Sequence, residues 1–390
     1  MGIAPGVMLV TGAYSPEIGS GGLLCREVAR ALGGRVRFVV VTTAVEPTLP
    51  LESLVDGVPV YRLPIDVSRI RSRLAAAIRL VRIFVRLRSE VQVVHIHGVS
   101  SKNALVIRLA RLFGMRIVVS LHTAGQDEPG AGRSGRRVHR SLRAADRVLS
   151  VSPLLSQRYR DAGLPTGKLV QTFNGINTAR FRPADEAERR ALRVRLGLPD
   201  QRTILFVGFF SKDKRPDVLF DAWTRIVASR AEPISLVGVG ASRSSYFEVD
   251  SRLADRMRAD ADRLGLAAGF RIVEPTNEIQ DYFRSADLFA LPSIRESVSL
   301  VLLEAMSCGL PCVASRLPGA TDVIITDGED GLLVPPGDAA ALAAALSALI
   351  ADPQRARRLG AAARRTVAAR YDVGRSAEEW LAVYHDVLRA

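Results

Sequence analysis

Two glutamates, Glu296 and Glu304, stand eight positions apart in the segment Pro292-Ser293-Ile294-Arg295-Glu296-Ser297-Val298-Ser299-Leu300-Val301-Leu302-Leu303-Glu304. The apolar run Leu288 to Leu291 reads as a strand, and Leu300 to Met306 as the start of a helix. Glu296 then lies in the connecting loop and Glu304 two turns into the helix, with Ser297 to Ser299 at its N-terminus. Free backbone N–H groups and the positive end of the helix dipole suit that point to a phosphate. Carboxylates accept hydrogen bonds from sugar hydroxyls, so one on each side of a phosphate site can hold a sugar and the other a ribose. Taken alone, each glutamate has a plainer reading, as a cap neighbour or an exposed helix residue. Against that, Glu304 interrupts an apolar run, where a carboxylate without a partner is costly to bury.

The elements that must position this chemistry alternate between short apolar runs and helical stretches, the pattern of parallel-sheet α/β structure. A first series of strands is predicted at 6–11, 36–42, 91–97, 116–121, 147–151 and 169–172. A Gly-rich loop, 12–22, and a helix from Leu23 to Leu32 follow the first of them. Asn174-Gly175 is a turn signal, and a polar helix over 185–196 bridges to a second series. That series has strands at 203–207, 234–237, 270–273, 288–291, 311–314 and 331–334, with helices between them. Two helices at 338–351 and 353–370 and an amphipathic stretch from Gly374 to Leu388 close the chain.

The run from Ser285 to Asp338 resembles the C-terminal half of retaining GT-B glycosyltransferases of family four, the group 1 glycosyl transferases. The resemblance rests on Ser285-Ala286-Asp287, Leu291-Pro292-Ser293, the glutamate pair, Cys308-Gly309-Leu310-Pro311, Pro318-Gly319, and Asp327-Gly328-Glu329-Asp330-Gly331-Leu332-Leu333-Val334. Further family-like features occur in order: Gly21-Gly22, His95-Ile96-His97, His122, Asn174-Gly175-Ile176-Asn177, and Lys214 after Gly208. The likeness therefore covers nearly the whole chain. It implies two Rossmann-like, doubly wound domains facing across a cleft: an acceptor-binding half at 1–182, a donor-binding half at 183–370, and a last helix, 371–390, crossing back to the N-terminal half.

The resemblance also implies roles. Glu296 binds hydroxyls of the transferred sugar, Glu304 the nucleotide ribose, and the backbone of Val298 to Val301, with Ser297 and Ser299, the diphosphate. Lys214 neutralises the leaving phosphate, and His122 sits at the sugar beside the reacting carbon. Gly21 and Gly22 let the N-terminal loop approach the phosphates. His97 is left as an acceptor-side residue. Many relatives carry Arg directly after the glycine matched by Gly208, where this chain has Phe209; Lys212 or Arg215 is then expected to supply the second positive charge. The expected reaction is transfer of a sugar, with retention, from a nucleoside diphosphate sugar to a glycan, glycolipid or small-molecule acceptor. UDP is favoured, with GDP and ADP open. No cofactor or metal is required, since no Asp-x-Asp motif stands in a convincing loop. A relative that binds a sugar nucleotide without transferring it is the alternative, and Phe209 is its one support.

Other readings are weaker. His95, His97 and His122 fall at strand ends and could in principle hold zinc, but neither helical H-E-x-x-H spacing nor a carboxylate partner motif accompanies them. His95 reads better as a packed strand residue. Gly238-Val239-Gly240 lacks the third glycine of a dinucleotide loop. Cys25, Cys308 and Cys312 are too few and oddly numbered for a disulfide framework, which fits a reducing compartment, and read as packing residues. The N-terminus has no basic, then apolar, leader pattern and no segment is long enough to span a bilayer, so a cytoplasmic chain is expected.

The net charge of +14 favours polyanionic partners, although solvated Arg faces would also account for it. Nucleic acid has only that charge to support it, with no zinc finger, aromatic RNA-binding pair or helix-turn-helix signal. The stretch 70–88 predicts a basic amphipathic helix, with Arg71, Arg79, Arg82 and Arg86 on one face and Ile70, Leu74, Val81, Phe84 and Val85 on the other. A second basic cluster is Arg133, Arg136, Arg137, Arg140 and Arg143. The plain reading is a helix packed on the N-terminal sheet. The sharper one is docking on the inner face of an anionic membrane that presents the acceptor.

Overall fold

A computed structural model describes residues 4–17, 19–44, 46, 48–66, 69–99, 103–123, 127–130, 132–243 and 249–390, the side chains of 132–134 excepted. Arg133 of the basic cluster therefore lies outside the described side chains. The first run of elements is β1 (Gly6–Thr11), α1 (Ser20–Leu32), β2 (Arg37–Ala44), β3 (Glu52–Val55), β4 (Val58–Pro64), α2 (Ile70–Leu87), β5 (Val93–His97), α3 (Asn103–Leu112), β6 (Arg116–Leu121), α4 (Gly132–Ala144), β7 (Arg147–Ser150), α5 (Pro153–Asp161) and β8 (Leu169–Gln171). The second is α6 (Glu186–Leu196), β9 (Arg202–Val207), α7 (Pro216–Ala228), β10 (Ile234–Val239), α8 (Ser251–Arg263), β11 (Phe270–Val273), α9 (Ile279–Ser285), β12 (Leu288–Leu291), α10 (Leu300–Ser307), β13 (Cys312–Ser315), β14 (Leu332–Val334), α11 (Ala339–Ala351), α12 (Pro353–Arg370) and α13 (Val373–Arg389). Both runs alternate strands and helices, the α/β pattern expected.

The chain forms two units, Met1–Gly175 with Val373–Ala390, and Ile176–Asp372. The divide falls after Gly175 and Asp372 rather than after 182 and 370, because 176–182 is bonded into the second unit. Ile176 N donates to Tyr371 O at 2.9 Å, Thr178 bonds Asp372, and Arg180 reaches Gln280 at 2.8 Å.

In the first unit the strand order is β3-β4-β2-β1-β5-β6-β7-β8, all parallel except the β3–β4 pair. That hairpin is absent from the sequence expectations. Its strand β3 is short and half polar, and its signal is the single dipeptide Asp56-Gly57, both residues at positive φ. The step from β1 to β2 runs one way across the sheet and the steps from β4 to β8 the other. Right-handed crossovers then put α1 on one face and α2 to α5 on the opposite one. Helix α13 shares the α1 face: Val373, Ala377, Trp380, Tyr384 and Val387 join Val7, Leu9, Leu24, Val28 and Val93 in one core. Helix α1 begins at Ser20, so Gly21 and Gly22 lie in its first turn and not in a loop.

In the second unit the order is β11-β10-β9-β12-β13-β14, entirely parallel. Its core gathers Phe206, Phe210, Phe220 and Trp223 around Leu236, Leu342 and Leu346. Helix starts follow local chemistry: Asp185, Asp338 and Asp352 cap α6, α11 and α12 by accepting from Glu188 N, Ala341 N and Arg355 N at 2.8–2.9 Å. Cys25, Cys308 and Cys312 are free, buried thiols, packed as the sequence suggests.

Trp380 is 1% exposed, and its removal tests whether α13 belongs to the first core. Trp380→Ala should lower the unfolding free energy by about 3–5 kcal/mol in a urea titration. A loss within error would mean that the helix only rests on the surface.

Candidate functional site

Strands β9 and β12 are neighbours, but the chain leaves them in opposite directions, towards β10 and towards β13. The loops at their C-terminal ends diverge and leave a crevice, the place where open α/β sheets bind ligands. Loop 208–215 enters it from β9 and loop 292–299 from β12. They are tied together at three points. Ile294 N donates to Asp213 O at 2.8 Å, Arg295 pairs with Asp213, and Lys214 Nζ donates to Glu296 Oε1 at 2.6 Å. The Glu296 side chain is 7% exposed and that of Lys214 29%, so the carboxylate is the shielded partner and the ammonium the accessible one. Two residues picked from the sequence for different reasons thus form a direct ion pair.

Ser299 is the N-cap of α10 and makes no side-chain cap bond; Val298, Leu300 and Val301 around it are half-buried, and Ser297 is buried. The backbone donors of this turn are therefore not met by the cap side chain. Glu304 stands in the second turn, half-buried. In the same loop Ser293 is fully buried, and its hydroxyl finds no partner among the described residues. Nothing in the spacing of the sequence marks Ser293, Asp213 or Arg295.

Gly208 ends β9. A Cβ on Gly240 would lie 2.0 Å from Gly208 O, so Gly240 exists for close backbone approach, which accounts for the Gly238-Val239-Gly240 turn without a dinucleotide. Of the two expected replacements for the missing arginine, Arg215 is held by Asp217 through three contacts of 2.9–3.1 Å. Lys212 is exposed, and Phe209 is half-buried.

The first unit has its own switch point, between β1 and β5. His97 ends β5, and its Nδ1 lies 3.0 Å from His122 Nε2 at the end of β6. The contact needs one ring to donate and the other to accept, so the pair shares a proton there. Asp127 fixes the backbone beneath both rings. It is 3% exposed, and its carboxylate accepts from Val99 N at 2.7 Å, His122 N at 2.8 Å and Thr123 N at 2.9 Å. Asp127 escaped the sequence reading, since a lone Asp in a polar loop carries no spacing signal. His95 is spent on packing: its ring nitrogens bond Tyr384 Oη at 2.8 Å and Ser120 Oγ at 2.7 Å. Among the described residues no group of three His, Cys, Asp or Glu is placed to hold a metal ion. Gly21 has room for a methyl group, 3.5 Å from Thr11 Oγ1, whereas a Cβ on Gly22 would meet Ala13 O at 2.1 Å. Gly22 is thus needed to seat α1 on the loop before it.

The family described as "Glycosyl transferases group 1" matches residues 188–366, and "Glycosyltransferase Family 4" matches residues 22–180. The chain belongs to the family-four, group 1 glycosyltransferases. It is 33% identical over 259 residues to D-inositol 3-phosphate glycosyltransferase 2 of Catenulispora acidiphila, a match that takes in 62% of this chain and 59% of that protein. It is 38% identical over 230 residues to the D-inositol 3-phosphate glycosyltransferase of Thermobispora bispora, covering 57% of this chain and 52% of the relative. The matched part thus spans little more than half the length of these relatives. Among solved structures, sucrose-phosphate synthase from Thermosynechococcus elongatus superposes with a TM-score of 0.81 at 23% identity, covering 99% of both chains. Anabaena HepE in complex with UDP and glucose superposes with a TM-score of 0.80 at 18% identity, covering 98% of this chain and 100% of that one. At these identities the likeness speaks for the fold.

Burial holds the His95 and His97 imidazoles well below their ordinary value, each further lowered by a neighbouring ring. His122 is lowered by burial, opposed by Asp127 and Asn174. These rings stay neutral when folded and protonate near pH ~6.5 when unfolded. The unfolded state then binds more protons below that pH, so stability is full above it and falls as the pH drops towards the folded values. Urea titrations between pH 7.5 and 5.5 should show this loss, up to about 1.4 kcal/mol per pH unit for each such ring. His97→Gln should flatten the slope by one proton, and an unchanged slope would show that His97 is charged in the folded protein.

Proposed function

We propose that this chain transfers a glycosyl group from a nucleoside diphosphate sugar to an acceptor, with retention at the anomeric carbon. The observation that carries the reading is the Lys214–Glu296 pair, set in a switch-point crevice beside the N-terminus of α10. In this reading the diphosphate lies on the backbone donors of Val298 to Val301, with the Ser297 and Ser299 hydroxyls beside it. Glu304 accepts from the ribose hydroxyls and Glu296 from hydroxyls of the transferred sugar.

As the anomeric C–O bond breaks, positive charge spreads over the sugar ring and negative charge grows on the departing phosphate. Lys214 is the accessible half of its ion pair and can turn to that phosphate, while fixed amides need no reorganisation to meet it. The leaving charge is thus answered by protein groups, and the reading requires no metal. In this reading His122, held by Asp127, is assigned to the transferred sugar and His97 to the acceptor. Gly21, in the first turn of α1, leaves the space that a side chain would fill. Lys212 takes the place of the arginine missing at Phe209, because Arg215 is committed to Asp217.

UDP is the favoured nucleotide, supported by the fold shared with a protein solved with UDP and glucose. The relatives named for D-inositol 3-phosphate make a phosphorylated cyclitol one acceptor to test among glycans and glycolipids. Lys214→Ala should lower turnover about 10²–10³-fold, the range for losing one donor to a developing charge, and Glu296→Ala should lower it by removing the acceptor for the sugar hydroxyls. Release of UDP from UDP-sugars in the presence of acceptor checks this. Glu296→Ala should keep the wild-type thermal midpoint without ligand, whereas Lys214→Ala should lower it, because the shielded Glu296 carboxylate loses its counter-charge. Full activity in both would remove the pair from the reaction. A chain that gains thermal stability with UDP, yet turns over no donor with any acceptor, would be a binding protein instead.

A further inference from the structure

Helices α2, α3 and α4 cover adjacent crossovers on one face of the first unit, with α2 packed beside α3 and α3 beside α4. They carry five, two and five arginines and no Asp or Glu. Exposed members include Arg71, Arg82 and Arg86 on α2 and Arg136, Arg140 and Arg143 on α4. Among the described residues Glu52 of β3 pairs with Arg79 and Arg86, and Asp146 with Arg111; none pairs with the exposed arginines of α4.

The apolar residues of α2 do not all face the sheet, as the sequence pattern suggested. Ala76, Leu80, Ile83, Phe84 and Leu87 are buried, whereas Ile70, Leu74, Ile78, Val81 and Val85 are 38–72% exposed. The exposed five recur at helical spacing and form one stripe about 22 Å long. Arg71 and Arg82 border it, and Leu112 at the end of α3 is also exposed. This helix therefore has two apolar faces, and the first core uses only one.

A nucleic acid would answer the arginines and leave the stripe against water. A bilayer with anionic headgroups answers both, since guanidinium groups sit among phosphates while aliphatic side chains enter the acyl boundary. We propose that the α2–α4 face docks on an anionic lipid surface, with α2 lying flat and Ile70, Leu74, Ile78, Val81 and Val85 inserted. No helix of the described residues is long and apolar enough to cross a membrane. The inference stands apart from the transferase reading, because vesicle binding needs no turnover.

The test is co-sedimentation of the full chain with phosphatidylcholine vesicles, with and without phosphatidylglycerol. Binding is expected only with the anionic lipid, and weakens with salt. Leu74→Asp with Ile78→Asp, and separately Arg71→Glu with Arg82→Glu, should each reduce the partition coefficient about tenfold or more. Arg357→Glu with Arg358→Glu, the same charge change on exposed positions of α12, should leave it unchanged. In Val81→Trp, vesicles should shift the added emission to the blue, against native Trp223 and Trp380 that are at most 1% exposed. Absence of binding to anionic vesicles at low salt overturns the proposal. So does binding that ignores Leu74 and Ile78, or retention of random DNA on a filter by a chain that vesicles do not sediment.

Discussion

A carboxylate shielded from water needs a counter-charge, and in the second unit that need joins two loops 82 residues apart in sequence. Glu296 can be 7% exposed because Lys214 reaches it, and Lys214 can reach it because β9 and β12 are neighbours whose chains leave in opposite directions. The Asp213 contacts with Ile294 and Arg295 brace the same two loops from the side. Gly240 backs onto the carbonyl of Gly208 and fixes where the β9 loop begins. The sheet order, the glycine contact and the loop brace all converge on holding one ammonium beside one carboxylate at the mouth of a crevice.

The first unit solves a comparable problem with the charge reversed in role. Asp127 is buried as an acceptor, and three backbone N–H groups surround it. Its charge is spent on holding the turns that follow β5 and β6, which sets His97 and His122 in contact. Behind them His95, Tyr384 and Trp380 pack as a polar-aromatic wall, so α13 supports the histidines from within the same core. A remote C-terminal helix therefore contributes to the geometry of a site on β5 and β6.

Much of this was legible in the sequence. The β1 run from Val7 to Val10 and the β12 run from Leu288 to Leu291 are continuous, buried apolar segments, and in a parallel sheet buried on both faces such runs are read directly. The glutamate pair stood out because Glu304 interrupts an apolar run, whereas Lys214 came only from the family resemblance. What escaped has one physical character: it depends on tertiary neighbours. Asp127 and Ser293 acquire meaning only from what surrounds them after folding. The β3–β4 hairpin is held by Arg62, buried among the Pro50 and Ser15 carbonyls and the Ser53 hydroxyl, an arrangement no periodicity encodes. Gly21 and Gly22 look equivalent in sequence and differ only in what a Cβ would meet. Helix periodicity likewise places the apolar residues of α2 without saying which of them the sheet will cover.

The distribution of the positive charge bears on why the chain carries so much of it. If it reflected composition alone, arginines in both units would find carboxylates equally often. Several of those in the second unit are netted: Arg182 and Arg284 meet at Glu188, Arg284 and Arg195 at Asp281, and Arg189 and Arg193 at Asp287, yet α12 also carries six arginines and no Asp or Glu, so missing carboxylates alone do not set the first unit apart. On α2, α3 and α4 the carboxylates are missing from the helices themselves, and an apolar stripe runs beside the arginines. Solvation accounts for exposed arginines but not for aliphatic side chains left in water along the same helix, whose burial would be worth about 1.5–3 kcal/mol each. A surface that is basic and apolar together, and empty of acids over three consecutive helices, is matched to something anionic with an apolar interior.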